Sequence, residues 1–112
     1  MEGKDLKIVT SSQFNIKDIP SIHEYGMNTF GLKLADYFIA EIYIRLENLS
    51  TEYLLHPECR HLETKTKKYR NIILGSYLII DRITLDRIEV LRAFHGSRSP
   101  KKIQKVKQIS ID

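Results

Sequence analysis

The chain has 112 residues, of which 42% are apolar and 29% charged, and its one cysteine is Cys59. That is the size and balance of one globular domain with its own core, which excludes a disordered segment and a disulfide-stapled scaffold. The formal net charge is +4, unevenly placed: residues 1–59 hold five Lys/Arg against nine Asp/Glu (−4), and residues 60–112 hold thirteen against five (+8). A cationic half of this kind attracts polyanions or an acidic protein partner. No apolar run reaches the roughly 18 residues of a membrane span. Met1-Glu2-Gly3-Lys4-Asp5 leads into a strand-like run rather than a signal-peptide core, so a cytoplasmic protein without membrane contact is expected.

Asp5 to Thr10 is β-branched enough for a strand, and Ser11 and Ser12 offer helix N-caps. Phe14, Ile16, Ile19, Ile22, Tyr25 and Met27 recur at a roughly helical period. They predict helix within 12–29, kinked or restarted at Pro20, which has no N–H to donate. Gly31 suits a left-handed helix end. From Leu32 to Asn48 the spacing of Leu34, Tyr37, Phe38, Ile42, Ile44 and Leu46, continued by Leu49, predicts a second helix with these side chains on one face. The two helices are expected to form an antiparallel hairpin.

Beyond Pro57 the pattern becomes that of strands. Tyr69 to Leu74, Tyr77 to Thr84 and Arg87 to Phe94 are separated by short turns, which predicts a three-stranded antiparallel meander. In the last strand Ile88, Val90 and Phe94 are expected to point one way, and Glu89, Leu91 and Ala93 the other. The tail, with Ile103, Val106 and Ile109 at spacing three, reads as a short amphipathic basic helix or a mobile tail. The architecture predicted is α+β: an N-terminal strand, a helical hairpin and a meander with a basic concave face in one domain, 1–98, followed by the basic tail 99–112.

Four segments in this order resemble one known family. Thr29-Phe30-Gly31-Leu32-Lys33-Leu34-Ala35-Asp36-Tyr37 resembles its junction between two helices, and Leu55-His56-Pro57-Glu58-Cys59-Arg60 its segment after the second helix. Tyr69-Arg70-Asn71-Ile72-Ile73-Leu74-Gly75-Ser76-Tyr77-Leu78-Ile79-Ile80 resembles its hairpin, and Arg87 to Arg98, with Ala93-Phe94-His95-Gly96-Ser97-Arg98, its closing strand. The family is that of RelE/ParE toxins of type II toxin–antitoxin systems, the plasmid-stabilisation proteins. The resemblance implies a growth-inhibiting toxin held in a hetero-oligomer by a cognate acidic antitoxin. It implies one of two targets: DNA gyrase, or the ribosome and its messenger RNA, which the nuclease branch cuts. An inactive relative that only pairs with an antitoxin is a third reading. The closing segment lacks the tyrosine common in the nuclease branch, and the long hairpin resembles the gyrase-directed branch, so gyrase is the preferred target. The family usually carries an aromatic where this chain has Asp81, an acid expected to reach solvent or to pair with Arg82 or Arg92.

If the chain cuts RNA, His95, Arg92 and Arg98 are the catalytic set: a neutral imidazole accepts the ribose 2′-OH proton while the arginines hold phosphate. The other reading of His95 is a cap on the strand end. The residues expected to bind target or nucleic acid are Lys65, Lys67, Lys68, Tyr69, Arg70, Arg82, Arg92 and Arg98. In an alternating strand Lys65, Lys67 and Tyr69 share one face, able to grip a backbone and stack a base; the same lysines would also guard an edge strand. No cofactor is expected. His23, His56 and Cys59 fit no zinc spacing, and no phosphate-cradling glycine loop is present.

Overall fold

The computed structural model describes residues 6–96 and 100–111. Strand β1 (Lys7–Thr10) leads through a π-helical turn, Gln13–Asp18, into α1 (Ile19–Phe30). Of the two serines, Ser11 does the capping: its Oγ accepts the Phe14 N–H at 3.0 Å. Pro20 falls in the first turn of α1, where its missing N–H is not needed, so the helix restarts there. Helix α2 (Leu32–Glu52) follows after Gly31, whose φ of 96° and ψ of 162° lie outside the left-handed helical region but still demand a residue without Cβ. The helices approach closely where Gly26 meets Ala35: a Cβ on Gly26 would lie 3.3 Å from that of Ala35.

The face that α2 buries differs from the expected one. Ala35, Ile42, Leu46 and Leu49 are buried, with Phe38 and Ile39 packed beside them. Leu34, Tyr37 and Ile44 are exposed. At 100° per residue Tyr37 and Ile44 fall on the far side of the helix from Ala35 and Ile42, and Leu34 on its flank, so only half of the apolar residues of α2 are buried or half-buried.

Strands β2 (Tyr69–Leu74), β3 (Tyr77–Ile83) and β4 (Arg87–His95) form the antiparallel meander. β1 adds in parallel to β4, giving a four-stranded sheet in the order β1-β4-β3-β2. The β3–β4 register skips one residue: Ile80 pairs with Arg92 and Asp81 with Val90, which leaves Leu91 as a bulge. An extra residue reverses the alternation beyond it. Ala93 therefore joins Ile88 and Val90 in the core beneath the helices, and Phe94 joins Leu91 on the other side. The expected grouping of Phe94 with Ile88 and Val90 is thus corrected, because a strict period of two cannot see a bulge.

Both faces of the sheet are covered. One carries the helices; the other carries a second cluster of Cys59, Leu62, Tyr69, Ile80, Leu91 and Phe94, closed by Ile103 and Val106. These last two come from a short helix, α3 (Pro100–Gln104), and the 3-10 turn Lys105–Gln108. An open basic concave face, expected from the sequence, is absent among the described residues because this C-terminal segment lies over it.

Asp81 is fully buried, and neither carboxyl oxygen has a hydrogen-bond partner among the described residues. It pairs with neither expected arginine, since Arg82 holds Glu89 and Arg92 holds Asp18. Burial pushes its carboxyl up to about 7 from 3.8, against the pull of the Arg70 guanidinium. Between these two pH values the folded chain binds a proton that the unfolded chain has released, so stability falls as pH rises through about 7. Asp81→Asn should remove this slope and raise stability at pH 8, by at most on the order of 4 kcal/mol. Urea unfolding of both proteins at pH 5 and pH 8 checks it: an unchanged pH slope in the variant would show that another group carries the dependence.

Candidate functional site

Arg92, His95, two tyrosines and three lysines line one open groove of about 920 Å³. It is lined by the π-helical turn and α1, by the last residues of β4, and by the C-terminal helical segment. β1 ends at Thr10, so β4 continues from Leu91 without a strand on that edge. The N-terminal segment takes the place of the strand. Ser11 Oγ donates to the Leu91 carbonyl at 2.6 Å. Asp18 accepts the Ala93 N–H at 2.8 Å and binds Arg92 through both oxygens, at 2.8 and 3.0 Å. Arg92 also donates to Gln13 Oε1 at 3.1 Å, and its guanidinium carbon lies 5.1 Å from the centre of the Phe94 ring.

At the end of β4, His95 sits between two tyrosines. Its ring lies 5.0 Å from that of Tyr25 and 4.8 Å from that of Tyr77, both tilted. Burial raises the Tyr77 hydroxyl pKa, with Tyr25 adding to the effect. Lys17, Lys102 and Lys105 complete the polar lining. A groove of this kind can hold an anionic chain; among the described residues its only carboxylate is Asp18, whose charge Arg92 offsets.

Most of the arginines expected to grip a ligand are engaged inside the fold. Arg82 binds Glu89 at 2.6 Å, approaches the Tyr69 hydroxyl at 3.4 Å and donates to the Ile109 carbonyl at 2.8 Å. Arg87 binds the other oxygen of Glu89 and donates to the Ile111 carbonyl. Arg70 donates to the carbonyls of Lys67 and His56. Tyr69 is only 3% exposed, so its ring is not open to a base. Lys65, Lys67 and Lys68 precede β2 in a turn-rich stretch, with Lys67 at a φ of 55°, and share no strand face. Their expected alternation fails because pairing with β3 begins only at Tyr69. Arg98 lies outside the described residues. Of the described members of the expected set, Arg92 and His95 line the groove and the others do not.

The histidines and Cys59 do not assemble either: no group of three His, Cys, Asp or Glu among the described residues is placed to hold a metal. His23 binds Asp36 at 2.7 Å. Burial, then Arg45, lowers the His56 pKa, and burial raises that of the Cys59 thiol. Lys17, Tyr25, Lys102 and Lys105 were missed as site residues. They lie up to 88 positions apart, from 17 to 105, and only the lysine-rich tail hinted at them.

A family model described as "ParE toxin of type II toxin-antitoxin system, parDE" matches residues 10–100. Among solved structures, one described as "Chromosomal ParDE TA system from P. aeruginosa" superposes with a TM-score of 0.67 at 13% identity, covering 83% of this chain and 98% of that one. At that identity the likeness is one of fold. A search of curated proteins finds no match.

The clamp between Arg92 and Asp18 generates a prediction. Arg92→Ala leaves a carboxylate with 6% side-chain exposure without its counter-charge, held by the Ala93 amide alone, and should cost at most about 3–5 kcal/mol. The double variant Asp18→Asn/Arg92→Met, which removes both charges, should melt closer to the wild type. Thermal melts of the three proteins decide this; equal melting of Arg92→Ala and wild type would mean that the pair contributes nothing.

Proposed function

The chain belongs to the ParE toxin family of type II toxin–antitoxin systems, and we propose that it stops growth by binding DNA gyrase and is neutralised by a cognate acidic antitoxin. The family match over residues 10–100 carries the toxin class. Within that class, gyrase is favoured over messenger cleavage by the condition of the arginines. A nuclease needs phosphate clamps free to tighten in the transition state, whereas Arg82 and Arg92 are held by Glu89 and Asp18. A binding toxin needs no such freedom, because its affinity rests on a few anchors within a surface.

The second reading, a ribosome-dependent nuclease, draws on one observation: His95 and Arg92 line the same groove. His95→Ala separates the two readings. Loss of a general base lowers a rate by about 10²–10⁴. Gyrase supercoiling and ribosome-bound messenger cleavage are assayed side by side with the wild type and His95→Ala. Inhibition of supercoiling by both proteins, with no RNA cut, is the expected result. Messenger cleavage that disappears in His95→Ala would replace gyrase with the ribosome.

The +8 of residues 60–112 makes an acidic antitoxin the complementary partner. Expression of the chain alone should slow bacterial growth, and co-expression of the neighbouring antitoxin should restore it. Their complex should weaken with added salt, as rim charges require. Normal growth at high expression would favour an inactive relative.

A further inference from the structure

The groove holds more positive charge than the fold uses. Its described lining carries Lys17, Asp18, Arg92, Lys102 and Lys105. Asp18 and Arg92 offset one another through two hydrogen bonds. Lys17, Lys102 and Lys105 are exposed, so the described lining keeps the charge of three cations. These come from the π-helical turn, from α3 and from the 3-10 turn after it, so the positive charge is spread over two sides of the groove.

An aromatic step lies in the same groove. Tyr77, His95 and Tyr25 follow one another at 4.8 and 5.0 Å between ring centres. Tyr25 is 48% exposed, so its ring is open to a further planar group. Ser12, Ser21 and Gln13 add hydrogen-bonding groups to the lining. Cations along an open channel, with a row of tilted rings ending in an exposed one, are what a flexible chain of phosphates and bases requires: the cations follow the backbone, and the exposed ring accepts any base. The volume of about 920 Å³ sits at the upper end of the ~300–1,000 Å³ typical of small-ligand pockets, and suits a short run of chain. An acidic peptide would use the lysines but would leave the ring step unused.

We propose that this groove binds single-stranded nucleic acid, with Lys17, Lys102 and Lys105 on its phosphates and a base stacked on Tyr25. The proposal goes beyond the gyrase reading and is tested without gyrase. None of these four residues is among those that the sequence singled out for nucleic-acid contact. The geometry requires no cleavage: the site holds a strand, and Arg92 stays bound to Asp18.

The test is fluorescence anisotropy of a labelled oligothymidylate of about a dozen nucleotides with the purified full-length protein. Three phosphate contacts give a log–log salt slope near −2, at about −0.7 per contact for a single strand. Each of Lys17→Gln, Lys102→Gln and Lys105→Gln should make the slope shallower by about 0.7. Tyr25→Ala should weaken binding by about 5- to 150-fold, the loss typical of a base-stacking aromatic, and leave the slope unchanged. Far-UV circular dichroism melts check that each variant folds. Tyr25→Phe, which keeps the ring, should bind like the wild type. Polyglutamate of similar length is the competing probe. If it binds as tightly as the oligonucleotide and ignores Tyr25→Ala, the groove reads an acidic polypeptide and the proposal falls. It also falls if the oligonucleotide does not bind, or if the lysine variants keep the full salt slope.

Discussion

Three hydrogen bonds converge on the buried carboxylate of Asp18, two from the Arg92 guanidinium and one from the Ala93 amide. They join residues more than 70 positions apart at the one edge of β4 that no strand covers. Ser11 secures the same edge from the start of the segment, through the Leu91 carbonyl. A strand edge left open presents unpaired backbone groups to any passing chain; here two side chains of the N-terminal segment take them up. This junction decides where α1 begins, and with it the wall of the groove. A buried carboxylate with three donors is stable only while all three stay in place, which ties the groove wall to β4.

The bulge at Leu91 has an equally wide reach. By shifting the alternation it places Leu91 and Phe94 together on the sheet face away from the hairpin. That face then needs a cover of its own. The C-terminal segment supplies it with Ile103 and Val106, and Arg82 and Arg87, both bound to Glu89, hold the carbonyls of Ile109 and Ile111. Asp81 pairs across from Val90, beside the bulge, with its oxygens unpaired. It is the one place where the core carries a titratable group without a partner among the described residues, and it couples the stability of the sheet to pH.

The cations divide by chemistry. Arg70, Arg82, Arg87 and Arg92 are all tied to carbonyls or carboxylates of the fold, a use that suits a planar fork with several donors. Lysines, compact and strongly hydrated, remain at the surface, and three of them line the groove. A reading of charge alone counts both kinds together. The structure separates those that build the protein from those that face outward, and moves the candidate site from the sheet face to the groove at its edge.

The sequence by itself determined the α+β class, the three meander strands and the hairpin, because each rests on local signals: a period of two or near four, short turns, and Gly31 between helices; the family came from the resemblance of four segments taken in order. It also picked out Arg92 and His95, which line the groove. Only the tertiary structure decided which apolar residues of α2 are buried, where β4 changes sides, and that Asp81 is sealed in the core. Those outcomes depend on partners far along the chain. Leu34, Tyr37 and Ile44 are as apolar as Ile42 and Leu46, and only the position of the sheet tells them apart. Lys17 and Tyr25 belong beside Lys102 and Lys105 because Asp18 binds Arg92 and because Ile103 and Val106 seek the second core. No local pattern records either contact, since both are made only when the ends of the chain meet across β4.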